Sequence, residues 1–174
     1  MATQTERLMR LNQALVERRD ICCSEGVVEA FPAVLQKTFR MDYLGLIVCE
    51  QGSFRFTLDR KPFTAKAGET VFLSESTEFC AGTCTDDLRV DILFYQVDSI
   101  RELLGSSVVA MHLYATLTPE PCYVWATGEE EDIARYITLI SRYRHAADNP
   151  FGNHERKLLL LALTYRLCAI YSRR

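Results

Sequence analysis

The sequence predicts a mainly β fold with α: a β-barrel of jelly-roll type followed by a C-terminal antiparallel helical hairpin. Three observations predict it. Between residues 27 and 125, short β-type runs are broken by turn signals at roughly ten-residue spacing, as in antiparallel barrels and sandwiches. After Tyr123 the apolar period changes from two to that of a helix. Finally, 48% of the 174 residues are apolar, with nine Phe and eight Tyr, which is enough to build a core. The chain then divides into an N-terminal arm or helix (residues 1–26), the barrel (27–125) and a two-helix hairpin (126–174).

Residues 5–20 are compatible with a helix carrying Leu8, Leu11, Leu15 and Val16 on one stripe, or with a loosely held arm, because no clear cap precedes them. Residues 43–49 form a continuous apolar run, expected to be a buried strand. Gln51-Gly52-Ser53 turns the chain, and Phe54, Phe56 and Leu58 then alternate with polar residues as a half-buried strand does. Asp59-Arg60-Lys61-Pro62 and Ala67-Gly68-Glu69 mark the next turns, with a strand at residues 70–73 after them. The longest strand runs over residues 88–97, with Val90, Ile92 and Phe94 on one face.

In the helical part, Thr127-Gly128-Glu129-Glu130 reads as a capping box, and the acidic run Glu129-Glu130-Glu131-Asp132 suits the positive start of a helix. Ile133, Tyr136, Ile137, Ile140 and Tyr143 share a face, and Asp148-Asn149-Pro150 stops the helix. Asn153 is placed to cap a second helix whose residues 158–163 are apolar at consecutive positions. A helix apolar most of the way round must be covered on two sides. The barrel supplies one cover, and a second subunit is the simplest choice for the other. Tyr171-Ser172-Arg173-Arg174 still reads as helix, as at a boundary before a linker or at a natural end.

A formal charge of −3 provides no general field for phosphate backbones, so Arg156, Lys157, Arg166, Arg173 and Arg174 are expected to solvate the last helix. The start Met1-Ala2-Thr3-Gln4 shows no basic segment followed by an apolar run, and no stretch approaches the roughly 20 apolar residues a bilayer needs. A cytoplasmic location without membrane contact is expected. The seven cysteines are odd in number and several lie in apolar runs, as reduced core thiols do. Cys80 and Cys84 lack a second spaced pair for zinc.

Residues 43–97 resemble a cupin barrel, in the order Cys49-Glu50-Gln51-Gly52, a strand, Asp59-Arg60-Lys61-Pro62-Phe63, then Ala67-Gly68-Glu69-Thr70-Val71-Phe72-Leu73. With Asp148-Asn149-Pro150-Phe151, His154-Glu155-Arg156 and the Leu-rich helix included, the chain is similar to the N-terminal domain of AraC-type transcription regulators. That resemblance implies a small-molecule pocket in the barrel and a dimerising hairpin. It also implies a helix-turn-helix DNA-binding domain, which is absent from this chain, so that DNA is a partner only through that domain. Catalytic cupins hold a metal with histidines and a glutamate. The matching positions here are Gly45, Phe79 and either Phe39 with Met41 or Thr38 with Arg40, and none of these sets can hold a cation. His112, His145 and His154 lie outside the motif. No metal, cofactor or catalytic residue is therefore expected.

The positions that read a sugar in the arabinose-sensing member match approximately Ala81, Ile92 and Phe94, with Lys37 or Thr38 nearest its strand arginine. The resemblance thus implies an apolar pocket, with Ile47, Phe54, Phe56, Phe79, Ile92 and Phe94 as candidate ligand-binding residues. The same side chains would equally serve to fill a small barrel. Tyr136, Ile140, Leu159, Leu160, Leu163 and Leu167 are the candidate homodimer interface. The function expected is ligand sensing and dimerisation in a regulator, with no enzymatic activity. Two alternatives stand beside it. A metal-independent, isomerase-like cupin enzyme would need an acid/base pair, and Asp91 and Glu50 are not placed to form one. A cyclic-nucleotide sensor would need an Arg soon after Gly68-Glu69, and the first is Arg89.

Overall fold

A computed structural model describes residues 3–28, 30–104, 122–142 and 149–173. Nine strands among them form two antiparallel sheets: β1 (Ile21–Val28), β2 (Phe39–Met41), β3 (Leu44–Gln51), β4 (Ser53–Leu58), β5 (Lys61–Lys66), β6 (Glu69–Leu73), β7 (Thr77–Cys84), β8 (Arg89–Tyr95) and β9 (Cys122–Trp125). One sheet has the order β1-β8-β3-β6-β9 and the other β2-β7-β4-β5. From β3 to β8 the chain passes repeatedly between the sheets, the course of a jelly roll. The first strand pairs with β8 from Ile21 onward, ahead of the β region read from the sequence.

The predicted turns are where the chain reverses. Gly52, at φ +74°, joins β3 to β4. The β4–β5 hairpin closes on Asp59 and Arg60, both at positive φ, as a two-residue hairpin turn requires. Asp59 tolerates this because its carboxylate accepts from the Glu78 N–H at 2.8 Å. Pro62 lies in β5, an edge strand, where its missing donor does least harm.

Among the described residues four α-helices pack against the sheets: α1 (Gln4–Val16), α2 (Asp98–Leu104), α3 (Glu130–Arg142) and α4 (Gly152–Tyr171). The arm is a helix, and it has a cap that the sequence reading overlooked. Thr3 Oγ1 accepts from the Glu6 N–H at 3.3 Å, and the Glu6 carboxylate accepts from the Thr3 N–H at 2.9 Å. Leu11, Ala14 and Leu15 of α1 are buried, whereas Val16, expected on the same stripe, is turned out to solvent. At α3 the expected reciprocal cap is present: Thr127 donates to the Glu130 carboxylate and accepts from the Glu129 N–H at 2.9 Å. Tyr143 and Asp148 lie outside the described residues. At α4 Asn153 lies inside the helix and no side chain caps it; Asn149 instead holds the turn that leads in. Its Oδ1 accepts from the Phe151 N–H at 2.9 Å, and its Nδ2 donates to Glu155 at 2.8 Å.

There are two cores. The inner one lies between the sheets and takes in Leu11 and Leu15 of α1. The outer one lies between the far face of the five-stranded sheet and α2, α3 and α4. Leu44, Leu46 and Val48 of β3 face the outer core and Ile47 and Cys49 the inner, so β3 reads as apolar throughout. In β4 the buried side chains alternate with more exposed ones, because the outer face of the four-stranded sheet is open.

One buried polar link crosses the outer core. Tyr95 Oη and Thr164 Oγ1 are 3.1 Å apart, and Thr164 also donates to the Leu160 carbonyl at 2.7 Å. Ion pairs hold the outer ends of the helices. Glu129 pairs with Arg166 at 2.7 Å and Arg173 at 3.2 Å, so these two arginines, expected only to solvate α4, bridge it to α3. Such partly exposed pairs contribute about 0–1 kcal/mol each. No helix among the described residues is long and apolar enough to cross a membrane.

Thr164→Val leaves the buried Tyr95 hydroxyl without its partner and is expected to destabilise the fold by about 1–3 kcal/mol in chemical denaturation, with Thr164→Ser close to wild type. Burial raises the Tyr95 pKa from 10.0 to about 12, with the Thr164 hydrogen bond opposing it, and burial raises Cys168 from 9.0 to about 11. The fold therefore favours the neutral forms. Their contribution is complete below pH 9 and is lost as pH rises through 11 to 12, so alkaline titration should unfold the chain over that window.

Candidate functional site

The two sheets bring all six candidate ligand-binding residues into one apolar cluster. Ile47, Ile92 and Phe94 enter it from the five-stranded sheet, and Phe54, Phe56 and Phe79 from the four-stranded sheet. Every one is at most 1% exposed. Ile47 and Ile92 are direct partners across β3 and β8. On the opposite side the rings pack in series: Phe54 and Phe56 at 5.6 Å between centroids, Phe56 and Phe79 at 5.4 Å. These are the offset and tilted arrangements that aromatic quadrupoles favour.

Three residues join the cluster without having been singled out in the sequence. Phe31 lies 4.9 Å from Phe54, Phe63 is stacked 5.3 Å from Phe56, and Tyr43 faces Phe94 at 6.3 Å. Phe31 and Phe63 sit at a strand approach and on an edge strand, where periodicity carries little signal. Tyr43 is the informative one. It lies buried in the inner core, and its hydroxyl has no hydrogen-bond partner. Burial, reinforced by the neighbouring Cys22 thiol, pushes its pKa above the ordinary tyrosine value. A phenol inside an otherwise hydrocarbon run was the available signal, because a buried hydroxyl ordinarily finds a partner.

The positions matching the cupin metal ligands do not fit a metal. Gly45 takes the glutamate position on the inner face of β3, and the ring of Phe94 fills the space a side chain would need. A Cβ on Gly45 would stand 2.7 Å from Phe94 Cε1 and 3.1 Å from Leu73 Cβ. Phe39 and Phe79 are paired across β2 and β7, and Met41 is buried. Among the described residues no group of three or more His, Cys, Asp or Glu could hold an ion. Six cysteines, Cys80 and Cys84 among them, are joined in no disulfide. His112 and His145 lie outside the described residues.

The polar residues considered for other chemistry are engaged elsewhere. Asp91 is buried and accepts from the Gly26 N–H at 2.5 Å. Glu50 pairs with Arg89 at 2.6 Å, on the outer side of the strand ends. Of the positions matching a sugar site, Ala81, Ile92 and Phe94 are in the apolar cluster, while Lys37 and Thr38 are exposed.

The candidate dimer residues fall into two groups. Ile140, Leu160, Leu163 and Leu167 are fully buried within the single chain, against the outer face of the five-stranded sheet. They are spent on the subunit's own core, a correction to the sequence reading. Tyr136 and Leu159 are half-buried at its margin. The apolar surface left open consists of Leu158 (45% exposed), Tyr165 (43%) and Leu139 (39%), with Phe151 at its end (70%).

Fold and site together define a class: a cupin-like jelly roll with an apolar interior and a helical pair on its outer sheet, the fold implied by the resemblance to AraC-type N-terminal domains. No family model matches the sequence, and no curated protein matches it. Solved structures do. An apo variant of ToxT from Vibrio cholerae is similar at a TM-score of 0.52 and 11% identity, over 88% of this chain and 57% of that one. ToxT from Vibrio cholerae bound to (E)-4-(8-methylnaphthalen-1-yl)but-3-enoic acid is similar at 0.52 and 11%, over 78% and 51%. The AraC-like transcriptional activator CuxR aligns at 0.48 and 14%, over 76% and 43%. The chain thus spans about half the length of the ToxT structures it matches. At such identities the likeness is one of fold.

Gly45→Ala should destabilise the domain by about 1–3 kcal/mol in denaturant unfolding, since it forces a methyl group into Phe94, and Phe94→Leu in the same chain should recover part of the loss.

Proposed function

We propose that this chain is the ligand-sensing and dimerisation part of a cytoplasmic AraC-type transcription regulator, and that it is not an enzyme. The observation that carries the reading is the apolar interior: aromatic rings from both sheets converge where a cupin enzyme would hold its metal. The ligand would be a small apolar molecule among Ile47, Phe54, Phe56, Phe79, Ile92 and Phe94, with the Tyr43 hydroxyl as its single polar contact. The ToxT structure with a bound naphthyl-butenoic acid supports this choice of chemistry, an apolar body with one polar end. DNA contact would fall to a helix-turn-helix segment outside these 174 residues.

In this reading the ligand acts by binding one arrangement of arm, barrel and helices better than another. The inner cluster joins α1 to both sheets, so a molecule inserted there acts on all three. Dimerisation would use the face of α4 and α3 bearing Leu158, Tyr165 and Leu139, where the helix apolar on all sides remains uncovered. Paired DNA half-sites need two readers at fixed spacing, which a dimer provides.

Two measurements test the proposal. Light scattering should find a dimer, and Leu158→Glu with Tyr165→Glu should give a folded monomer, whereas Leu163→Ala should instead lower stability by about 2–5 kcal/mol. A strict monomer at high concentration would remove the dimerisation part. For the ligand, titration with a long-chain or aryl alkenoic acid should raise the melting temperature. Tyr43→Phe should weaken binding by about tenfold, the share of one hydrogen bond in a dry site. Absence of any shift across such acids would leave the aromatic cluster as core packing alone.

A further inference from the structure

We propose that a second site, a cleft where the link between α1 and β1 meets the start of α4, binds a small molecule carrying an oxyanion, held by Arg156 and Lys157. The cleft has a volume of about 380 Å³ and is lined by Arg19, Asp20, Ile21, Asn153, Arg156 and Lys157. It is separate from the aromatic interior, since none of its lining residues belongs to the inner core.

The charge balance of the cleft is unlike that of the chain. The protein carries a formal charge of −3, yet three cations line this cleft against the single carboxylate of Asp20. Arg19 is already paired with Glu17 at 2.6 Å. Arg156 and Lys157 have no carboxylate within ion-pair distance among the described residues, although Arg89, Arg135, Arg166 and Arg173 all have one. Both side chains are half-buried, so part of their hydration is lost without a counter-charge. Such an arrangement is costly for stability alone and suits a site whose counter-ion is the ligand.

The geometry favours an oxyanion. Asn153, Arg156 and Lys157 are spaced i, i+3 and i+4, so one face of α4 presents an amide, a guanidinium and an ammonium side by side. Arg156 is held in place by neutral partners: its Nε donates to the Ile140 carbonyl at 3.1 Å, and its Nη2 reaches Cys23 Sγ at 3.2 Å. Two of its five N–H groups are thereby used and the rest remain for a ligand, in the fork that matches carboxylate and phosphate oxygens. The first turn of α4 adds its favourable dipole. The opposite wall is also fixed, because the Asp20 carbonyl accepts from the Gln96 N–H at 2.9 Å. The Asp20 carboxylate would reject a bare anion beside it and accept a hydroxyl, so the fitting ligand is a hydroxylated phosphate ester or a hydroxy acid. The site touches α3 through Ile140, β1 through Cys23 and α4 directly, and an occupant would tie the helical pair to the sheet.

Calorimetry on the 174-residue chain, with glycerol 3-phosphate and malate as probes at constant ionic strength, tests the proposal. Binding of the phosphate ester alone identifies the phosphate source, and binding of malate alone the carboxylate source. In either case Lys157→Met should weaken it about tenfold without changing the melting temperature, since this side chain has no ion pair to lose among the described residues. Lys61→Met, on the far edge strand, is the control and should bind as wild type. Failure of both probes in the millimolar range overturns the site, as does binding that survives Lys157→Met unchanged. Because the aromatic interior is untouched by these variants, the outcome is independent of the apolar-ligand reading.

Discussion

The structure depends on one constraint: the five-stranded sheet must be buried on both faces. Its inner face packs against the second sheet and its outer face against α2, α3 and α4. Burial of apolar surface contributes about 25 cal/mol per Å², and a small two-sheet domain with one covered face has little to spare. The helical pair is thus part of the subunit's own stability and not an appendage. Leu160, Leu163 and Leu167 cover Leu46, Phe72 and Leu93 as any core layer would. The polar link between Tyr95 and Thr164 sets the register of that layer, because a buried hydroxyl pair tolerates little sliding.

The same constraint shapes the interior. With helices outside, the inner face is free to be wholly apolar, and it has become so at the very positions where a cupin enzyme keeps its ligands. Gly45 and Phe94 show how completely. The glycine opens a space on β3 and the ring from β8 closes it, so a donor side chain could not return without displacing the aromatic. Tyr43 is the exception in this interior, a buried hydroxyl with the Cys22 thiol beside it. Charge is kept out of the inner aromatic cluster, and several ion pairs gather at the ends of the helices. There Glu129 draws in Arg166 and Arg173, while the hydrogen bonds of Arg156 go to neutral groups.

Much of this was legible before any coordinates. A strand buried on both faces reads as an unbroken apolar run and one buried on a single face alternates, and residues 43–49 and 53–58 differ in that way. The turns at Gly52, Asp59-Arg60 and Gly68 follow from local backbone chemistry, as does the cap at Thr127 and Glu130. Membership of the six aromatic and aliphatic residues in one interior was implied by the resemblance, with period two placing those of β4 and β8 on one face. Local signals were also overlooked. Thr3 and Glu6 form a capping box in plain sight, and Asn153, expected to cap α4, lies inside it.

What the sequence by itself determined is periodicity: which residues turn inward, where the chain reverses, and that the last helix has no single apolar stripe. Which neighbour lies on which side was decided only by the tertiary structure. Leu158 and Leu160 are equally apolar and two positions apart, yet one faces open surface and the other the sheet. The physical reason is that a helix apolar most of the way round has no single stripe to orient it, so its rotation is set by the long-range packing of β3, β6 and β8 beneath it. Long-range placement likewise brought Arg156 beside Cys23, across 133 residues of chain, where no local pattern could have put it.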